Sequence, residues 1–181
     1  YYSDATFSNA FKQDGFMKIY NNSDNDVYGI YASHGTSVAS NAPYKADGII
    51  EIINNSSGTG YALYGYTAYN VKEDTNYNLG HIKMTNTSNG RVFGMYGIDS
   101  ADNFCTRYDA TYGTAIIDVI NKADGYGYAI YADNAYNSNS LTALTKSIIN
   151  MVNTDSGVVH GVFGTTKATN YGTINIHNLG D

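Results

Sequence analysis

Short runs of alternating apolar and polar residues recur along this chain at near-constant intervals, and the pattern predicts β-strands throughout. The stretch Gly48-Ile49-Ile50-Glu51-Ile52-Ile53-Asn54, followed after a short turn by Tyr61-Ala62-Leu63-Tyr64-Gly65, shows the repeated phrase. Its first half reads small, any, aliphatic, any, aliphatic, any, Asn, and it ends at Asn21, Asn54, Asn86, Asn121, Asn153 and Asn178, with separations of 33, 32, 35, 32 and 25 residues. Its second half reads aromatic or His, small, aliphatic, aromatic, small. That half begins at Tyr28, Tyr61, Phe93, Tyr128 and His160, each seven residues after its Asn. Period-2 alternation in β-rich sequence marks each half as a strand. The segment between them, such as Asn55-Ser56-Ser57-Gly58-Thr59, is turn chemistry. Self-similarity at this period is the mark of stacked repeats, each too small to bury its own apolar face.

The predicted fold is all-β, a parallel β-solenoid of about five to six coils with variable loops on one edge. Units start near residues 15, 48, 80, 115, 147 and 172, the last is incomplete, and residues 1–14 form a lead-in or partial coil. Polar connections are expected over residues 33–47, 66–79, 133–146 and 165–171. An antiparallel meander would also pair strands through turns, but it would not place one residue type at the same site in five units.

Superposing the units gives columns. On one face of the first strand lie Met17/Ile19, Ile50/Ile52, Ile82/Met84, Ile117/Val119, Ile149/Met151 and Ile174/Ile176, an all-aliphatic set that should be the interior. Asn21, Asn54, Asn86, Asn121, Asn153 and Asn178 share that parity, so their amides are expected to bond from tier to tier as a ladder. The opposite face carries Lys18, Glu51, Lys83 and Asp118, then Asn150 and Asn175, and the alternating signs favour neighbours about 4.8 Å apart. In the second strand Ile30, Leu63, Met95, Ile130 and Val162 form an aliphatic column. Strand parity sets Tyr31, Tyr64, Tyr96, Tyr131 and Phe163 on the other face, together with Gly29, Ala62, Gly94, Ala129 and Gly161. This aromatic column is the candidate ligand-binding surface, where flat rings could stack on sugars or dock an apolar partner. The simpler reading is a ring stack that stabilises the sheet with no ligand.

Composition sharpens the picture only in part. Nineteen Tyr, nineteen Gly, one Pro and no Trp fit strands and tight turns. A net charge of −6 with no basic block argues against nucleic acid, because nothing could neutralise a run of phosphates. The single Cys105 rules out an internal disulfide framework and a Cys-rich zinc site. No apolar run is long enough to span a bilayer.

The phrases Gly172-Thr173-Ile174-Asn175-Ile176 and Tyr28-Gly29-Ile30-Tyr31-Ala32 resemble the repeats of bacterial autotransporter passenger domains, which are pectin-lyase-like β-solenoids. The resemblance covers nearly the whole chain from Gly15 onward. It implies a right-handed parallel β-helix, export through an outer-membrane barrel, and an extracellular or cell-surface location. It also implies further coils in the parent chain on which these would stack.

Signatures of chemistry fare poorly. Ser33-His34-Gly35-Thr36-Ser37-Val38-Ala39-Ser40 resembles two subtilisin-like signatures at once, those of the catalytic His and of the nucleophile. One stretch cannot supply both, since the triad needs His and Ser from separate places. His34, His81, His160 and His177 lack metal-ligand spacing, and the last three are read as tolerated variants at repeat positions. Calcium is conceivable at Asp24/Asp26 or Asp99/Asp102, but the glycine-aspartate nonapeptide of calcium-binding β-rolls is absent. Glu51 and Asp118 share a column with Lys83 between them, a neutralised ladder rather than a glycosidase pair. The Asn-x-Ser sequons at Asn21, Asn54, Asn55 and Asn86 read as by-products of the turns.

The expectation is therefore a non-catalytic structural and interaction segment of a bacterial surface or secreted protein, an adhesin-like stalk. It calls for no cofactor and no metal, and its partners would be a host or cell-surface protein or a glycan. The alternatives are a spacer in a larger secreted enzyme, such as a subtilisin-like autotransporter protease, or a polysaccharide-acting β-helix.

Overall fold

The computed structural model describes residues 2–3, 11–13, 16–32, 34–38, 48–73, 79–106, 113–139 and 145–180. Most of the expected lead-in, the side chains of the subtilisin-like phrase, the Cys105 thiol and most of the residues of the expected 33–47 connection lie outside the described residues.

Among the described residues every element is a strand, and every pairing is parallel. One sheet stacks the short strands β3 (Phe16–Asn21), β6 (Gly48–Asn54), β8 (Leu79–Asn86), β10 (Gly113–Asn121), β12 (Thr145–Asn153) and β14 (Thr173–Asn178) in chain order. The other stacks β1 (Tyr2–Ser3), β4 (Val27–Ala32), β7 (Thr59–Glu73), β9 (Arg91–Thr106), β11 (Tyr126–Asn139) and β13 (Val158–Asn170). Beside them β2 (Phe11–Gln13) pairs β5 (His34–Val38), and β5 pairs the second half of β7. The chain is a parallel β-solenoid. Ile52 lies opposite Ile19 on one side and Met84 on the other, so like residues of successive units sit over one another.

Two expectations need correction. The solenoid has about three full turns rather than five to six coils. Six short strands do not make six coils, because only β7, β9 and β11 are long strands of 15, 16 and 14 residues flanked on both sides. At one end the corresponding strand is split into β4 and β5, and at the other β13 and β14 are last in their sheets. The second correction concerns residues 66–73, 133–139 and 165–170, expected to be polar connections. They are strand, continuing β7, β11 and β13 past an irregularity in the pairing near Gly65, Ala132 and Gly164.

Each long strand therefore has two legs, and with its short strand encloses a narrow core. The short strand contributes Ile50 and Ile52, the first leg Ala62 and Leu63, and the second leg Ala68, all fully buried. Later tiers repeat the set with Ile82/Met84, Met95 and Ala101, and with Ile117/Val119, Ala129/Ile130 and Ala135. Alanine in the second leg lets that backbone lie close to the aliphatic side chains opposite.

The turn between short and long strands is packed as tightly as the core. A Cβ at Gly90 would fall inside the contact distance of Ser56 O, Gly58 O and Asn54 Nδ2 of the preceding unit, and Gly125 and Gly157 meet the same obstacles one tier on. None of these glycines has a left-handed backbone, so it is the close approach of the next tier that selects them. Gly90→Ala is expected to cost about 2–4 kcal/mol in urea unfolding, because rigid backbone rather than a mobile side chain blocks the methyl group. Asn89→Ala in the same turn, at an exposed side chain, should stay within about 0.5 kcal/mol.

Candidate functional site

A chain built this way buries an amide at each turn of the coil, and a buried amide must be paired. Asn21, Asn54, Asn86, Asn121 and Asn153 each pass a hydrogen bond from Nδ2 to Oδ1 of the next, ending on Asn178, at 2.9, 3.0, 2.8, 2.8 and 2.9 Å. The same Nδ2 atoms also cap their own turns: Asn54 donates to Ser56 O at 3.0 Å and Gly58 O at 2.9 Å. The ladder thus fastens tier to tier and strand to turn at one corner. The sequons fall on it, and Asn21, Asn54 and Asn86 are buried, whereas Asn55 is exposed and donates to Asn22.

A second ladder, not read from the sequence, runs along another corner. Asn70, Asn103 and Asn137 are fully buried and bond in the same direction, ending on Asn170, at 2.8, 2.9 and 2.7 Å. Their amides also reach the start of the following short strand, as Asn70 does to Gly80 O and Asn103 to Ala115 O. That contact explains why the phrase begins with a small residue: a Cβ at Gly172 would press on Asn137 Nδ2. The signal was present as Ala-x-Asn at Ala68/Asn70, Ala101/Asn103, Ala135/Asn137 and Ala168/Asn170. It was hidden inside stretches polar enough to pass for loops.

The aromatic surface also differs from expectation. Strand parity places Gly29, Ala62, Gly94, Ala129 and Gly161 with the aromatic column, but Ala62 and Ala129 are fully buried and a Cβ on Gly29 would meet Ile50. Two successive residues, Ala62 and Leu63, face the core, and the alternation slips by one as in a bulge. Tyr61 and Tyr64 consequently share the outer face. Two columns result: Tyr28, Tyr61, Phe93, Tyr128, His160 and Tyr31, Tyr64, Tyr96, Tyr131, Phe163.

Within the first column ring centroids are 5.0, 5.0, 4.7 and 4.8 Å apart. Within the second they are 4.9, 5.0, 5.0 and 5.0 Å apart. Between columns the rings meet edge to face, as Tyr28 and Tyr31 do at 5.2 Å. Each ring's faces are therefore covered by its neighbours in the column, and a sugar cannot stack on them along the run. The ribbon offers ring edges and phenol oxygens. Burial, aided by the Asp26 carboxylate, pushes the Tyr28 phenol up to about 12, and burial raises Tyr61, Tyr64, Tyr96 and Tyr128 as well. These phenols stay protonated as donors at neutral pH. His160 is a member of this stack rather than a stray variant, and burial lowers its pKa.

On the outer face of the short sheet, Lys18 Nζ lies 3.1 Å from Glu51 Oε2, and Lys83 is in register between Glu51 and Asp118. Asp118 is held by His81 Nε2 at 2.5 Å and Asn150 Nδ2 at 2.8 Å, so His81 is a working partner of the column. Burial pushes the Asp118 carboxyl up, but the hydrogen bonds from His81 and Asn150 with nearby positive charge outweigh it and hold it below the usual range. Asn175 continues the column onto Asn150 at 2.9 Å.

Of the calcium candidates, Asp24 accepts from Ser57, Asp26 from Tyr28 and Asp102 from Ser138, while Asn134 donates to Asp99 O. Among the described residues no group of three His, Cys, Asp or Glu could hold a metal ion. Among the described residues no helix is long and apolar enough to cross a membrane. Asp102 is the outlier: burial raises its carboxyl to about 6 despite hydrogen bonds from Ser138, and its Oδ1 has no partner.

No family model, no curated protein and no solved structure matches this chain. The resemblance to autotransporter passengers thus rests on the repeat phrases alone.

Asn103→Leu should cost roughly 2–4 kcal/mol in chemical unfolding, since it strands Asn137 Oδ1 and removes one acceptor of Asn70. Asp102 gives a pH signature. Its folded pKa lies above its unfolded value of 3.8, so the folded state holds the extra proton between about pH 4 and 6. Stability from this group falls as pH rises through that window. Asp102→Asn should therefore stabilise the fold at pH 7–8 by at most about 2 kcal/mol, read as a higher melting temperature, and change little at pH 4.

Proposed function

We propose that this chain is a non-catalytic scaffold and contact segment of a bacterial surface or secreted protein, with the right-handed coil of autotransporter passengers. The observation that carries the reading is continuity. Two amide ladders, a charge-and-amide column and two ring columns extend along the stack, so each added coil lengthens the rod without adding a joint. Such a rod suits holding something away from a surface.

The ring ribbon is the contact face in this proposal. It is flat, half-buried and poor in charge, and it presents a repeated set of phenol donors that a cell-surface protein or a glycan could accept. Recognition there would use hydrogen bonds to hydroxyls and packing against ring edges, not sugar-on-ring stacking. The spacer of a larger secreted enzyme remains a second reading of the same rod, favoured by the same continuity.

A glycan array and a cell-surface binding assay test the ribbon. Tyr64→Phe with Tyr96→Phe keeps both ring stacks and removes only the hydroxyls. Binding is expected to fall at least about tenfold, the loss of roughly 1.4 kcal/mol of hydrogen bonding. Binding that survives both changes would remove the ribbon from the proposal, and absence of any binding by the unaltered chain would leave the spacer reading in its place.

A further inference from the structure

The ring columns align phenols as strictly as they align rings. Tyr31, Tyr64, Tyr96 and Tyr131 follow one another in one column, with centroids 4.9, 5.0 and 5.0 Å apart and planes within 10° of parallel. In the other column Tyr28 and Tyr61 stack at 5.0 Å and 5°. Phe93 comes next there, and Tyr128 lies between Phe93 and His160. Successive rings are thus related by a shift along the stack. That shift sets each carbon ortho to a hydroxyl about one centroid separation from its counterpart in the next tier. The backbones are held in register, with Tyr31 opposite Tyr64, Tyr64 opposite Tyr96, and Tyr96 opposite Tyr131. Only the side-chain torsions need to move, and the ring torsion is a soft one. From this arrangement we infer that these tyrosine pairs are sites of oxidative coupling, in which a peroxide-consuming haem enzyme joins neighbouring tiers through a carbon–carbon bond.

The step balances with peroxide as the oxidant. Each of two neighbouring phenols gives up one electron and its hydroxyl proton, and the peroxide O–O bond breaks to yield two waters. The two phenoxyl radicals then join at their ortho carbons. Each of those carbons loses its proton, the two oxygens regain one each, and the pair ends lighter by two hydrogens. The Tyr28 hydroxyl already donates to Asp26 Oδ2 at 3.3 Å, so an acceptor for its departing proton is in place.

Proximity chooses the partners. Two radicals fixed one tier apart combine in a first-order step that needs no collision between chains. Surface access alone would choose differently: Tyr20 and Tyr66 are 56% and 52% exposed, with no described tyrosine stacked on either, whereas the column tyrosines are half-buried. Phe93 and Phe163 lack the phenol and end the runs. Each bond ties residues about one repeat apart, and so restricts the unfolded chain as a disulfide does. The modification needs no ligand, so it stands or falls apart from the ribbon's role as a contact face.

Hydrogen peroxide with a haem peroxidase, applied to the dilute 181-residue chain, tests this. Dityrosine fluorescence should appear in a species of monomer size, lighter by two hydrogens per link. Peptide mapping should place the links at Tyr31–Tyr64, Tyr64–Tyr96, Tyr96–Tyr131 and Tyr28–Tyr61, and the urea midpoint of the linked chain should rise. Tyr64→Phe keeps the ring stack, so the Tyr96–Tyr131 link should persist while no Tyr31–Tyr96 link forms across two tiers. The same oxidation in urea, where the stack is gone, should lose the preference for these pairs. Links that fall instead on Tyr20, Tyr66 or between chains, an unchanged distribution in urea, or a folded chain that does not couple overturns the inference.

Discussion

The structure depends on parallel, in-register stacking, and the constraint that enforces it is the buried asparagine. An amide taken out of water without partners costs several kcal/mol. In this coil each one finds its acceptor only when an identical residue sits one tier away in the same orientation. A slip of one residue would break every ladder bond and turn the aliphatic core outward together. The ladders therefore contribute register as much as stability. Ile50, Ile52, Leu63 and their equivalents supply the apolar burial that makes the stack worth forming.

From that constraint the surface follows. Whatever stands at one position stands in every tier, so outward side chains are also arranged in columns. Charges must alternate or yield to amides, as in Lys18, Glu51, Lys83, Asp118, Asn150 and Asn175. Rings must stack. The ribbon's parallel rings are thus a product of the same geometry that aligns the amides, and its availability to a partner is limited to edges and hydroxyls for the same reason.

Much of this was legible because periodicity states it directly: the parallel stack, the aliphatic interior, the first ladder and the column of Tyr31, Tyr64, Tyr96, Tyr131 and Phe163. What was missed was missed for physical reasons. The second legs of the long strands are rich in Asn, Asp, Thr and Tyr, and the apolar residue they are seen to turn inward is the small Ala68 or its equivalent, so polarity masked a strand. The slip at Ala62 and Leu63 cannot be found by counting parity, and it moved the small residues inside and joined Tyr61 to Tyr64 on one face. The phrase recurs in end units that do not close a full turn, so phrases outnumber coils. The role of His81 is not legible in the sequence because its partner, Asp118, is diagonal to it in the neighbouring strand and 37 residues along the chain.

The glycine-lined turn between short and long strands governs how such a chain can change in length. Gly58, Gly90, Gly125 and Gly157 are wedged between tiers, so this hairpin-sized corner tolerates neither a lost nor an inserted residue. Growth or shrinkage by whole repeats leaves every such corner intact. Lineages carrying this architecture should accordingly vary in quanta of one repeat, through duplication and deletion of entire units, with small insertions confined to the outer connections that precede each short strand.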